Sequence, residues 1–126
     1  MKYFFVYILF FNLLLYSQPN EKTDSTVYYS SLRNSNIKDN NYKDALFHTR
    51  KAILYAEKNK NIQDQASQHF TLGKLYYDLK KYDDAIESLL KSSNLYATLK
   101  PSSNQANIYY YIGLCYMAEH DFENAA

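Results

Sequence analysis

The chain has 126 residues, enough for one domain, of which 17% are aromatic and 21% are charged. This much apolar and aromatic material excludes a disordered chain, and a content of two glycines and two prolines favours helices with short turns over a many-stranded sheet. A formal net charge of +1 gives no reason to expect a nucleic-acid partner or binding to an anionic membrane.

The first 17 residues predict a secretory signal peptide. Lys2 is a small positive n-region, the run from Tyr3 to Tyr16 is apolar except for Asn12, and Ser17 is a small residue at a possible cleavage site. The run is shorter than the roughly 20 apolar residues that cross a bilayer. We therefore expect an exported protein that meets the membrane only transiently. The alternatives are an uncleaved anchor and a buried helix of the fold.

The first half of the remaining chain predicts a linker and two helices. Residues 18–25 are polar and form the predicted linker. Ser25 or Thr26 is expected to cap a helix that has few apolar residues and ends near Ile37. A polar turn follows, and the apolar spacing from Tyr42 to about Lys58 predicts a second helix.

The second half predicts a further pair of helices. Asp64 is expected to cap a helix from Gln65 to Leu79. The turn at Lys80 and Lys81 leads to a helix that starts at Tyr82 and that Pro101 stops.

The last segment predicts one more helix and the start of another. Ser102 or Ser103 is expected to cap a helix from about Gln105 to Ala118, and Glu119 to Asp121 are expected to form a turn. Residues 122–126 then resemble the start of the helix at Tyr82. A terminal repeat normally carries a polar capping face, so we expect this sequence to be a fragment of a longer protein.

A period of 40 residues connects these helices. The residues His69, Leu72, Gly73, Tyr76 and Ala85 return as Tyr109, Ile112, Gly113, Tyr116 and Ala125. A glycine inside a helix costs about 1 kcal/mol relative to alanine. Its recurrence at Gly73 and Gly113 therefore predicts that a paired helix approaches closely at both positions. Such a period is typical of stacked repeats, which we place at 26–65, 66–105 and 106–126.

These residues resemble the tetratricopeptide repeat family, whose pattern is an aromatic residue, Leu-Gly, Tyr and then Ala. His69 departs from the pattern, and the period is 40 rather than 34, which is similar to the long-repeat branch in exported bacterial proteins. The resemblance implies an all-α fold, a right-handed α-solenoid of antiparallel helix pairs. Together with the predicted signal peptide, it favours a periplasmic or extracellular location, and attachment of a full-length protein to the membrane is the alternative.

The resemblance implies a non-enzymatic scaffold for protein–protein interaction. Its protein or peptide partner would bind in a concave groove lined by the first helix of each repeat. Carried over by position, the groove residues are Asn34, Phe70, Lys74, Tyr77, Asn107, Tyr110 and Met117. Alternatively, these side chains pack on the preceding second helix or on a missing C-terminal repeat. A second functional hypothesis is an extracytoplasmic sensor region of a truncated signalling protein, either a histidine kinase or a helix-turn-helix transcription regulator.

We predict no catalytic residue, cofactor or metal site. The histidines His48, His69 and His120 do not have the spacing of metal ligands, and His69 occupies a packing position. Cys115 is the single cysteine, so an intrachain disulfide is excluded, and its apolar neighbours indicate a core thiol. The carboxylates at positions 83, 84 and 87 are expected to be solvated.

Overall fold

The computed structural model describes residues 21–100 and 104–125, which form an all-α fold. Its helices are α1 (Glu21–Lys38), α2 (Tyr42–Lys58), α3 (Ile62–Asp78), α4 (Tyr82–Ala97) and α5 (Asn104–Ala125). Each helix packs on its neighbours in sequence, and α3 also contacts α5. The predicted all-α class is confirmed, and the packing of consecutive helix pairs is consistent with a helical repeat solenoid.

Several predicted features lie outside the described residues. They are the signal peptide at residues 1–17, the first part of the linker, the stop at Pro101, and the caps at Ser102 and Ser103. Within the described part of the chain, no helix combines the length and the apolar character needed to cross a membrane.

Three turns with the same backbone conformation join the first four helices. Asn40, Lys60 and Lys80 have positive φ angles of 55°, 55° and 61°, and they are 20 residues apart. At each turn two backbone N–H groups bond back to the end of the helix; the N–H of Asn41, for example, donates to the carbonyl of Asn36 at 2.8 Å. This is the Schellman arrangement, which satisfies carbonyls that a helix end would otherwise leave unpaired. The turn therefore reverses the chain within three residues.

The start of α3 differs from the prediction. Asn61, rather than Asp64, is the N-cap, and the helix begins at Ile62. The side chain of Asn61 accepts a hydrogen bond from the backbone N–H of Asp64 at 3.0 Å and donates one to the Asp64 carboxylate at 2.7 Å. A reciprocal pair of this kind stabilises the first turn, so Asp64 supports the cap from inside the helix.

The start of α1 also differs from the prediction. The helix begins at Glu21, so residues 21–25 of the predicted linker are helical, and neither Ser25 nor Thr26 is its cap. Thr26 is buried, which places it at an inner position of the helix. The prediction of helices relied on the spacing of apolar residues, and Thr26 is polar although it is buried. The first turns of α1 were therefore not predicted.

The turn predicted at Glu119–Asp121 is wrong, because α5 continues through these residues to Ala125. A turn of the design used elsewhere would place His120 in the left-handed region, where Lys80 lies. That conformation costs about 1–2 kcal/mol for a residue with a side chain. Packing of the next helix offsets this cost at Lys80. Continued helical hydrogen bonding through His120 avoids this cost, and α5 runs on to Ala125.

The buried residues confirm the 40-residue equivalence at several positions. Ala45 and Ala85 are both fully buried, and the pairs Leu72 with Ile112 and Leu75 with Cys115 are buried as well. The core cluster contains Ile53, Ala66, Leu72, Tyr76, Ala85, Leu89, Tyr96, Ile108, Ile112 and Cys115. These residues come from α2 to α5, so a continuous core runs between successive helices.

The two glycines lie in unlike surroundings, which contradicts one part of the prediction. A Cβ atom on Gly73 would come within 2.6 Å of Cγ and 2.8 Å of Cδ2 of Leu89, and within 3.2 Å of the carbonyl oxygen of Ala85. The predicted close approach is therefore confirmed between α3 and α4. A Cβ on Gly113 would meet nothing within 4 Å. Within residues 21–100 and 104–125, no helix lies over Gly113 as α4 lies over Gly73.

The two glycines form a matched pair for a stability test. We expect Gly73→Ala to destabilise the protein, by about 1–3 kcal/mol as is usual for overpacking, because the fully buried Leu89 has little room to move. Gly113→Ala should instead stabilise it by up to about 1 kcal/mol, the difference in helix propensity. Urea denaturation of dilute protein, followed by circular dichroism, measures both changes. Equal effects of the two substitutions would contradict the observed difference in packing.

Candidate functional site

Aromatic rings and one lysine gather where α3 meets α5. Tyr111 of α5 lies edge-on to Phe70 and Tyr77 of α3, with ring centroids 5.7 and 5.9 Å apart. The Lys74 ammonium lies 5.7 Å from the ring centroid of Phe70 and 5.5 Å from that of Tyr111. Tyr110 contacts Tyr111 at 5.7 Å. We call these five residues the aromatic cluster.

The cluster follows from helical spacing. Phe70, Lys74 and Tyr77 are separated by four and three residues, so they lie on one face of α3. Ala66, Leu72 and Tyr76 hold the rest of α3 in the core, and this fixes the direction in which that face points. The rings of Phe70, Tyr77 and Tyr111 are partly buried by one another, whereas Tyr110 is 63% exposed. The cluster therefore consists of three partly buried rings that pack on one another and one ring, that of Tyr110, that is accessible to solvent.

The structure brings together four of the seven predicted groove residues. They are Phe70, Lys74, Tyr77 and Tyr110. The other three, Asn34, Asn107 and Met117, are exposed and lie outside the cluster. Phe70 and Tyr77 are partly buried against Tyr111 of α5, a contact that neither the groove nor its alternative predicted.

The sequence reasoning missed Tyr111, which is the centre of the cluster. It follows Tyr110 in a run of three tyrosines, and its equivalent 40 residues earlier is Thr71. The repeat pattern therefore gave no aromatic signal at this position. The one available signal was spacing within α5 itself, because Tyr111 lies three residues after the buried Ile108 and four before the buried Cys115.

A polar contact joins α1 to α3. Arg33, only 9% exposed, donates to the side-chain carbonyl of Gln68 and to that of Asn34. Gln68 in turn donates to the hydroxyl of Ser30 at 3.2 Å. Burial lowers the pKa of the Arg33 guanidinium from its usual value. Hydrogen bonds to neutral groups thus hold this buried charge and fix the position of α1 against α3.

An open cleft of about 530 Å³ lies between the α3–α4 turn and the second half of α5. Its lining residues are Lys80, Tyr82, Asp83, Glu119 and Glu123. Desolvation raises the pKa of Glu119, and a hydrogen bond with Asp83 and the charges of Asp83 and Glu123 raise it further. The described residues contain no group of ligands that could hold a metal ion. The predicted exposure of residues 83, 84 and 87 is confirmed.

His69 and Cys115 occupy core positions. His69 is 6% exposed, and neither of its ring nitrogens has a hydrogen-bond partner. Burial, together with the positive charge of Lys91, lowers its pKa from 6.5 to about 4. Cys115 is fully buried, and burial followed by the charge of Glu119 raises the pKa of its thiol. Both side chains are therefore held in their neutral forms, as packing residues.

Comparison with known proteins adds no assignment, because the chain matches neither a protein-family model nor a curated protein.

The buried His69 predicts a pH dependence of stability. Its folded pKa of about 4 lies below the unfolded value of 6.5, so its stabilising effect is complete above pH 6.5 and is lost as the pH falls towards 4. The loss is on the order of 3 kcal/mol when the full shift is counted, at about 1.36 kcal/mol per pKa unit. We expect His69→Phe to lose less stability than the wild type between pH 7 and pH 4.5 in urea denaturation.

The exposed His120 supplies the control for this measurement. His120→Phe removes a histidine at an exposed position outside the core cluster, so it controls for the loss of a histidine as such. If His69→Phe and His120→Phe lose the same free energy of unfolding across this range, the proposed role of His69 is wrong.

Proposed function

We propose that the chain is a non-enzymatic scaffold built from repeats of the tetratricopeptide type, which is exported and binds a protein or peptide partner. The 40-residue equivalence of buried positions and the packing of successive helix pairs support this repeat type. A fold of this kind is used for many purposes, so the function must be argued from the site.

The observation that carries the proposal is the aromatic cluster. Aromatic rings on rigid helices are effective anchors for a partner, since they bury a large area and lose little conformational entropy. The rings of Phe70 and Tyr111 hold the Lys74 ammonium from two helices. Ring faces do not neutralise a charge as a carboxylate would. A partner segment with an apolar side chain beside a carboxylate would therefore complement this surface.

A peptide-display selection on the purified full chain tests the proposal. A random peptide library would be selected for binding, and one enriched peptide would be synthesised and titrated by calorimetry. We expect enriched peptides to combine aromatic or aliphatic residues with Asp or Glu. We also expect Tyr111→Ala and Lys74→Ala to weaken binding by about 1–2 kcal/mol each, as is usual for residues at the centre of an interface.

Tyr28→Ala provides the matched control, because Tyr28 is 59% exposed on α1 and Tyr110 is 63% exposed in the cluster. Tyr110→Ala should weaken binding of the selected peptide, and Tyr28→Ala should leave it unchanged. Equal affinities for the two variants would reject the cluster as the binding site. Selected peptides without acidic residues would reject the role given to Lys74.

A further inference from the structure

The buried charge of Arg33 stands where the other repeats have glycine. Its equivalents 40 and 80 residues later are Gly73 and Gly113, and Arg33 is only 9% exposed. Thr49 of α2 is the equivalent of Leu89, and because it is smaller than leucine, the first repeat can hold a longer residue at position 33. An apolar side chain would fill that space without the cost of removing a charge from water. Packing alone therefore does not account for the charge.

The groups that hold the Arg33 guanidinium are neutral. Its Nε and Nη2 atoms both donate to the single side-chain oxygen of Asn34, at 3.1 and 3.0 Å, and its Nη1 atom donates to Gln68. Among the side chains that the structure describes, no carboxylate pairs with Arg33. Buried charges in proteins are usually paired with an opposite charge. The described part of the chain therefore leaves this buried positive charge uncompensated.

The edge of the guanidinium formed by Nε and Nη2 is the edge that a ligand can reach. Asn34, which occupies this edge, is exposed, and exposed side chains change rotamer rapidly. Nη1 donates instead to the buried Gln68, whose amide donates to the hydroxyl of Ser30 at 3.2 Å. Arg33 is thus fixed on one side and covered on the other by a group that can move away.

We propose that the Nε–Nη2 edge of Arg33 binds a carboxylate of the peptide partner, in place of the side-chain oxygen of Asn34. A carboxylate has two charged oxygens that match two parallel N–H groups of a guanidinium, so each donor gains its own acceptor. The carboxamide of Asn34 gives both donors one neutral oxygen. Because the surroundings are neutral, a carboxylate balances the guanidinium, whereas a phosphate group carries close to two negative charges and leaves one in excess.

This site rests on the proposed function and extends it, since it gives the partner a second acidic contact. Asn34 is one of the predicted groove residues, and the equivalent position 40 residues later is Lys74 of the aromatic cluster. Successive first helices therefore present a cation at or beside equivalent positions. We expect a partner that uses both cations to carry at least two acidic residues.

The arginine Nε–H signals of a proton–nitrogen NMR spectrum test the site directly, because the chain has two arginines, Arg33 and Arg50. Sodium acetate is the probe, and it is titrated into the full chain with sodium chloride keeping the ionic strength constant. The Arg33 signal should shift saturably, with a dissociation constant in the millimolar range for a single carboxylate. The signal of the exposed Arg50 should show no saturable shift. Inorganic phosphate at the same ionic strength should shift the Arg33 signal less than acetate does.

Substitutions at Asn34 separate ligand binding from a merely structural role of Arg33. Asn34→Asp places a carboxylate of the chain itself on the same edge, so acetate should no longer shift the Arg33 signal. Asn34→Ala removes the competing oxygen and should strengthen acetate binding several-fold. Asn94→Asp adds the same charge at an exposed position of α4 and should leave acetate binding unchanged. Circular dichroism checks that the three variants keep the helix content of the wild type.

The peptide selected in the display experiment connects the site to the partner. Asn34→Asp should weaken its binding by about tenfold or more, because a charge-assisted hydrogen-bonded pair is lost, and Asn94→Asp should not weaken it. A peptide that requires Tyr111, together with no saturable acetate shift at Arg33, would overturn the site and leave the proposed function intact.

Three further results decide between the parts of the proposal. An acetate shift with unchanged peptide affinity in Asn34→Asp would overturn the assignment of the site to this partner. A larger response to inorganic phosphate than to acetate would overturn the choice of a carboxylate. A failed peptide selection, with an acetate shift that Asn34→Asp removes, would reject the proposed function and support the carboxylate site by itself.

Discussion

The contact between α3 and α4 at Gly73 determines the arrangement of the helices on either side. Because Gly73 has no side chain, Leu89 and Ala85 approach the backbone of α3 and are fully buried there. This close approach also brings the hydroxyl of Ser92 to the carbonyl of Ala66. Phe70 and Tyr77 lie beside Gly73 on the surface of α3, and both contact Tyr111 of α5. The close contact with α4 and the aromatic cluster are therefore neighbouring features of α3.

Much of the fold could be predicted because the apolar spacing and the turn residues that define each helix lie within that helix or next to it in sequence. The bounds of α2 and the start of α4 agree with the apolar spacing, and the repeated burial of Ala45 and Ala85 follows from the 40-residue period. The missed bounds have a common cause. Asn61 and Asp64 are both good caps, and only the reciprocal hydrogen bonds between their side chains show which one ends the turn. The continuation of α5 past Glu119 depends on packing, which no local pattern contains.

The candidate site could be predicted only in part, for a similar reason. Phe70, Lys74 and Tyr77 share a helical face, so their proximity is a matter of spacing. Tyr111 reaches them from another helix, and its position depends on how α5 packs on α3. Asn107 and Met117 were carried over from a repeat family in which every helix is covered by the next. Among the described residues of α5 they are exposed and lie outside the aromatic cluster.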